Sequence, residues 1–297
     1  MELRRFRGTA VALVTPFKSS GVVDETALAG HVEWCIEGGV DVLVPCGTTG
    51  ESATMSAEEQ RRVIALAVET AAGRAAVMAG AGGNDTADVV RRVRAAREAG
   101  ADGILSVSPY YNKPTPEGLV AHYRAVAEEA ERPVFVYNVP GRTASNISPD
   151  TLFRLAEIEN VAGVKEASGD IEQIMTILAG RPDGFLVLSG DDALTLAVLA
   201  LGGDGVVSVA ANEAPDLMSE MVRAGLTGDL ARARELHYRL LPLMQANFVE
   251  TNPIPVKSAL EMIGRMPAHF RLPLVPLGES SAAVLKDALE RAGLSRT

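Results

Sequence analysis

Lys165 ends an apolar, glycine-punctuated run, Val161-Ala162-Gly163-Val164-Lys165, at the point where a parallel strand would finish. Drawing an amine out of water disfavours its charged form. A neutral amine is the nucleophile that condenses with a ketone to give a Schiff base. The segment by itself also admits a plainer reading, a solvated strand-end lysine paired with the adjacent Glu166.

Other residues with useful chemistry follow other apolar runs. In Gly47-Thr48-Thr49-Gly50-Glu51-Ser52 the glycines let backbone N–H groups approach a ligand, and the paired threonines can hydrogen-bond a carboxylate. A simple Gly/Thr turn fits the same residues. Tyr110 and Tyr111 sit between Pro109 and Pro114 in a stiff loop, suited to interface packing with one hydroxyl free for catalysis. Tyr137 closes a run and can shuttle a proton, and Arg142 can fork onto a carboxylate. A core aromatic and a surface arginine are the alternative there. A further run ends in Ser189-Gly190-Asp191-Asp192.

Positioning these groups falls to short apolar runs at 9–15, 42–45, 75–79, 103–107, 133–137, 163–165, 185–189 and 205–209. Their continuous hydrophobicity suits parallel strands covered on both faces. Helical patterns intervene, among them 56–72, 86–99, 116–131 and 148–159. The first opens on Ser56 with Glu59 three residues later, a capping box, and the second stops at Gly100. Eight strand–helix units predict an α/β fold, a (β/α)₈ barrel whose working residues lie at the C-terminal ends of its strands. A doubly wound sheet is the competing architecture, but Gly80-Ala81-Gly82-Gly83 does not complete a dinucleotide fingerprint. Strand signals stop near residue 228. Helical patterns at 230–249, 256–263 and 280–292 follow, so the expected division is a catalytic barrel over 1–228 and a small helical domain over 229–297.

With 297 residues, 47% of them hydrophobic, the chain can bury a large core. A net charge of −10 and no long basic run argue against nucleic acid or an anionic membrane as partner. An acidic substrate would need local cations. Cys35 and Cys46 form no C-x-x-C pair, and the four histidines show no ligand spacing, so no metal site is expected. Arg4, Arg5 and Arg7 before Ala10–Val14 imitate a signal peptide, yet Thr15-Pro16 cuts the stretch short. A first strand and a cytoplasmic protein are the expectation.

In this order the pieces resemble the pyruvate-dependent class I aldolases, the superfamily that includes N-acetylneuraminate lyase, and within it the dihydrodipicolinate synthase family. The resemblance spans nearly the whole chain. Carrying it are Gly8-Thr9-Ala10, Val14-Thr15-Pro16-Phe17, the Gly47–Ser52 loop, Pro109–Pro114, Tyr137–Thr143, Gly163–Gly169, Leu188–Asp192 and Asn252-Pro253-Ile254-Pro255-Val256-Lys257. It implies that Lys165 forms the Schiff base and that Tyr137 is the general acid/base. Thr48 and Tyr111 would complete a proton relay, Tyr111 reaching in from a neighbouring subunit of a homotetramer built as a dimer of dimers. Thr49 would hold the carboxylate of pyruvate and Arg142 that of L-aspartate 4-semialdehyde, with Gly190 and Val207 lining the pocket. No cofactor is implied. Ser52, Ala53, Asn84, Asp88 and Tyr110 match positions at which lysine-inhibited relatives bind that amino acid, although Ala57 and Asp88 replace a histidine and a glutamate. Two alternatives are a sister aldolase acting on a sugar acid and a non-catalytic barrel that binds a keto acid.

Overall fold

A computed structural model describes residues 3–294, so the ends of the two expected segments, at 1–2 and 295–297, lie outside the described residues. The described residues hold eight parallel strands closed in sequence order into a barrel. They are β1 (Gly8–Ala12), β2 (Val42–Val44), β3 (Ala76–Gly80), β4 (Gly103–Val107), β5 (Val134–Asn138), β6 (Val161–Glu166), β7 (Leu186–Ser189) and β8 (Gly205–Ser208). Helices α1 (Glu25–Glu37), α2 (Ala57–Ala71), α3 (Thr86–Glu98), α4 (Pro116–Ala130), α5 (Pro140–Thr143) and α6 (Pro149–Ala156) follow the first five strands. Next come α7 (Ile171–Gly180), α8 (Thr195–Ala200) and α9 (Pro215–Leu226), each after one of the last three strands. The chain ends with α10 (Leu230–Ala246), α11 (Ile254–Met262) and α12 (Glu279–Ala292).

Both faces of the strands are apolar because both are covered. Ala10, Val42, Met78, Leu105, Phe135, Leu188 and Val207 fill the barrel. Their alternating neighbours, Val11, Leu43, Val77, Ile104, Val134, Val187 and Val206, meet the helices outside. Phe6 closes the base of the barrel, its ring 5.2 Å from that of Phe135. The helix starts are fixed locally. Ser56 and Glu59 form the reciprocal capping box, and Asp24, Asp85, Thr115, Ser148 and Asp170 each accept a first-turn N–H. Gly100 takes the left-handed turn that lets the chain leave α3.

Two boundaries differ from the sequence expectation for identifiable reasons. The first strand stops at Ala12 because Val14 N–H donates to the Asn212 side chain instead of continuing the ladder. Residues 140–143, which fall between the run at 133–137 and the helical pattern at 148–159, wind into the turn α5, which Pro140 opens.

Candidate active site

A cavity of about 220 Å³ opens at the C-terminal mouth of the barrel. Lys165 and Tyr137 face each other across β6 and β5, where they are direct register partners. Lys165 Nζ lies 4.1 Å from the centre of the Tyr137 ring. The two residues are only 6% and 8% exposed, so access is from the cavity alone. The pairing of Lys165 with Glu166 does not occur. Consecutive strand residues point to opposite faces, and the Glu166 carboxylate accepts from Asn138 Nδ2 at 3.0 Å and from Ser168 N–H at 2.8 Å. Gly190 leaves room for the lysine: a Cβ there would stand 3.1 Å from Lys165 Cε and 2.6 Å from Ala167 Cβ.

The loop after β2 supplies the opposite wall. Thr48 and Thr49 both line the cavity, Thr48 exposed and Thr49 buried. Thr49 Oγ1 accepts from Asn252 Nδ2 at 2.9 Å. Glu51 is buried in a left-handed backbone conformation and receives Lys257 Nζ at 2.5 Å. Arg142, carried on α5, adds a cation to the rim, and Ser52 also reaches the cavity. The charged residues on the wall are Lys165, Arg142, Arg92 and Asp191. Arg92 is already paired with Asp88, which leaves Arg142 as the guanidinium of this wall with no ion-pair partner among the described residues, open to an anionic ligand.

Several expected residues lie elsewhere. Val207 is packed inside the barrel, and the cavity wall at this strand is Val209, two residues further along the chain. Tyr111, 88% exposed with φ +70°, projects from the loop after β4 and does not line the cavity. Tyr110, Ala53, Asn84 and Asp88 also lie off its wall. Asp88 lines a smaller neighbouring cavity of about 170 Å³, where Arg91 and Arg92 pair with its carboxylate at 3.1 and 2.6 Å.

Arg92, Phe248 and Asn252 reach the main cavity although the sequence pattern gave them no role. Arg92 belongs to a helix rich in arginines and reads as a solvated face. Asn252 had one local signal, a buried-type segment that begins on Asn-Pro. Cys46 also touches the cavity, but burial pushes its thiol up to about 12, which makes it a poor nucleophile. Among the described residues no group of His, Cys, Asp and Glu gathers to hold a metal ion, and no helix is long and apolar enough to cross a membrane.

Residues 5–292 match the Dihydrodipicolinate synthetase family. The chain belongs to that family. It is similar to the 4-hydroxy-tetrahydrodipicolinate synthases of Maridesulfovibrio salexigens, 53% identical over 97% of this chain and 99% of the relative, and of Koribacter versatilis, 53% identical over 98% and 97%. The crystal structure of dihydrodipicolinate synthase from Aquifex aeolicus superposes with a TM-score of 0.95 at 47% identity, covering 98% of this chain and 99% of that one. In this member of the family, the lysine and tyrosine on adjoining strands and the threonine pair opposite them share one cavity.

Proposed function

We propose that this chain is a 4-hydroxy-tetrahydrodipicolinate synthase that condenses pyruvate with L-aspartate 4-semialdehyde through an imine on Lys165. The observation that carries the chemistry is the Lys165–Tyr137 pair, 4.1 Å from nitrogen to ring centre in the wall of the cavity. The close relatives carry that enzyme's name along nearly their whole length, which favours it over a sugar-acid aldolase or a keto-acid sensor.

Lys165 Nζ adds to C2 of pyruvate, and the ketone oxygen leaves as water after taking up protons. The resulting imine draws electrons from C3, so a C3 proton departs and an enamine forms. Its C3 attacks the aldehyde carbon of the second substrate, whose oxygen becomes a hydroxyl. The amine of that substrate then adds to C2, closes the ring and releases Lys165. Tyr137, beside the nitrogen, carries the protons in and out of these steps. Thr48 and the partner subunit's Tyr111 would connect Tyr137 to solvent, which accounts for a tyrosine so exposed in a single chain. That relay needs a subunit boundary, and the assembly that goes with this reading is a homotetramer, a dimer of dimers. Thr49 takes the pyruvate carboxylate and Arg142, at the rim, that of the semialdehyde. The sequence calls for no metal, nucleotide or flavin, and a cytoplasmic location belongs to the same reading.

Borohydride added with pyruvate should reduce the imine and leave a three-carbon adduct on the peptide containing Lys165. Arg142→Ala should trap as well as the parent while losing turnover with the aldehyde by about ten- to a hundredfold. An adduct at Lys257, or none, would overturn the assignment of Lys165.

A further inference from the structure

We infer that Asn252 is a positioning residue that sets the Thr49 hydroxyl for the carboxylate of the keto acid. The inference deepens the function proposed above and rests on it. Asn252 comes from the segment between α10 and α11, far along the chain from the threonine pair, yet it lines the same cavity. Its Nδ2 donates to Thr49 Oγ1 at 2.9 Å in buried surroundings. A hydroxyl has one hydrogen to give and two lone pairs to accept with. With one lone pair occupied by an amide N–H, the Thr49 O–H hydrogen is left for an acceptor in the cavity. A carboxylate, which only accepts, is the ligand group that matches it.

The other end of the amide has the opposite need. Asn252 is 5% exposed, and its Oδ1 is buried with no hydrogen-bond partner among the described residues. A buried acceptor left unsatisfied has given up its hydration for nothing in return. Pyruvate carries no donor, so a water held beside its carboxylate, donating to Oδ1, relieves that cost on binding. The amide itself cannot drift away, because five residues on Lys257 is tied to Glu51, two residues past Thr49. Two contacts thus join one short loop to one short C-terminal segment, and the second fixes the geometry of the first.

The test is pyruvate-dependent borohydride trapping at Lys165 in the full-length protein, alongside steady-state kinetics. Asn252→Asp keeps the shape but cannot donate, claims the Thr49 hydrogen and repels a carboxylate. It should raise the pyruvate concentration for half-maximal trapping by at least about tenfold, with KM for the aldehyde within about twofold. Asn252→Ala should weaken trapping less, and adding it to Thr49→Val should bring no further loss, since its effect runs through that hydroxyl. Losses that multiply in the double variant, or an aspartate variant that traps like the parent, overturn the inference. If the parent itself traps no pyruvate, the functional reading falls first and this one with it. The aspartate variant, isosteric with the native residue, serves should the alanine variant fail to fold.

Discussion

Glu51 and Lys257, separated by 206 positions in the chain, form an ion pair with both side chains buried. Lys257 Nζ also donates to the His269 carbonyl at 2.5 Å and lies 4.5 Å from the ring centre of Phe17. Burial pulls the Lys257 ammonium below its usual range, and the Glu51 carboxylate partly restores it. Removing one partner strands the other charge in an apolar site. Lys257→Met should therefore cost about 3–5 kcal/mol, measured by denaturant unfolding, while Glu51→Gln combined with it recovers most of that loss. A cost below about 1 kcal/mol for the single variant would show that the pair does not hold the β2 loop in place.

Tyr111 projects into solvent in one chain, 88% exposed. If it works across a subunit boundary, Tyr111→Phe and Lys165→Ala should each inactivate the protein. Mixed after dissociation, the two inactive variants should regain activity, because a hybrid interface pairs a good lysine with a good tyrosine. Hybrids that form, confirmed by native mass spectrometry, and stay inactive would place the relay within one chain.

His31 gives a stability profile with a definite sign. Its ring lies buried in α1, with Nε2 2.9 Å from Asn212 Oδ1, and burial lowers its pKa from 6.5 to about 4. Between those values the unfolded chain binds a proton that the folded chain refuses. The contribution is complete above pH 6.5 and is lost as pH falls toward 4, by roughly 3 kcal/mol. Glu213 and Asp192 carry the opposite sign, since burial raises both carboxyls and their contribution fades as pH rises. Comparing the parent with His31→Gln isolates the histidine. The glutamine variant should lose its disadvantage as unfolding is moved from pH 7 to pH 4, and a constant gap would remove His31 as the cause.

Inhibition by lysine should be weak or absent. Ala57 offers no hydrogen bond, and Asp88, where a longer glutamate would reach the ligand, is already paired with Arg91 and Arg92. Binding without one charge-assisted hydrogen bond is typically weaker by about 1.5–3 kcal/mol. Initial rates at saturating substrates should stay above half their uninhibited value at about 1 mM lysine, a concentration that corresponds to about −4 kcal/mol of binding. Half-inhibition below it would show that Asp88 still reaches the ligand.

Local pattern along the chain suffices to read the barrel and the positions of the groups proposed to react. Strands buried on both faces are written as continuous apolar runs, and helix starts as Ser56–Glu59 or a proline, so both signals are local. Lys165 and Tyr137 were legible because each ends such a run, and a barrel assembles its site from strand ends. Closure of the barrel decided what local pattern could not. It set the β5–β6 register that brings tyrosine to lysine, turned Glu166 to Asn138, and moved the pocket wall from Val207 to Val209. Two further pairs, Asn252 with Thr49 and Lys257 with Glu51, join members that stand 203 and 206 positions apart. No periodicity spans such a distance. Only the packing of the C-terminal helices against the barrel mouth places those side chains, because a buried amide and a buried charge must find partners wherever the folded chain leaves them.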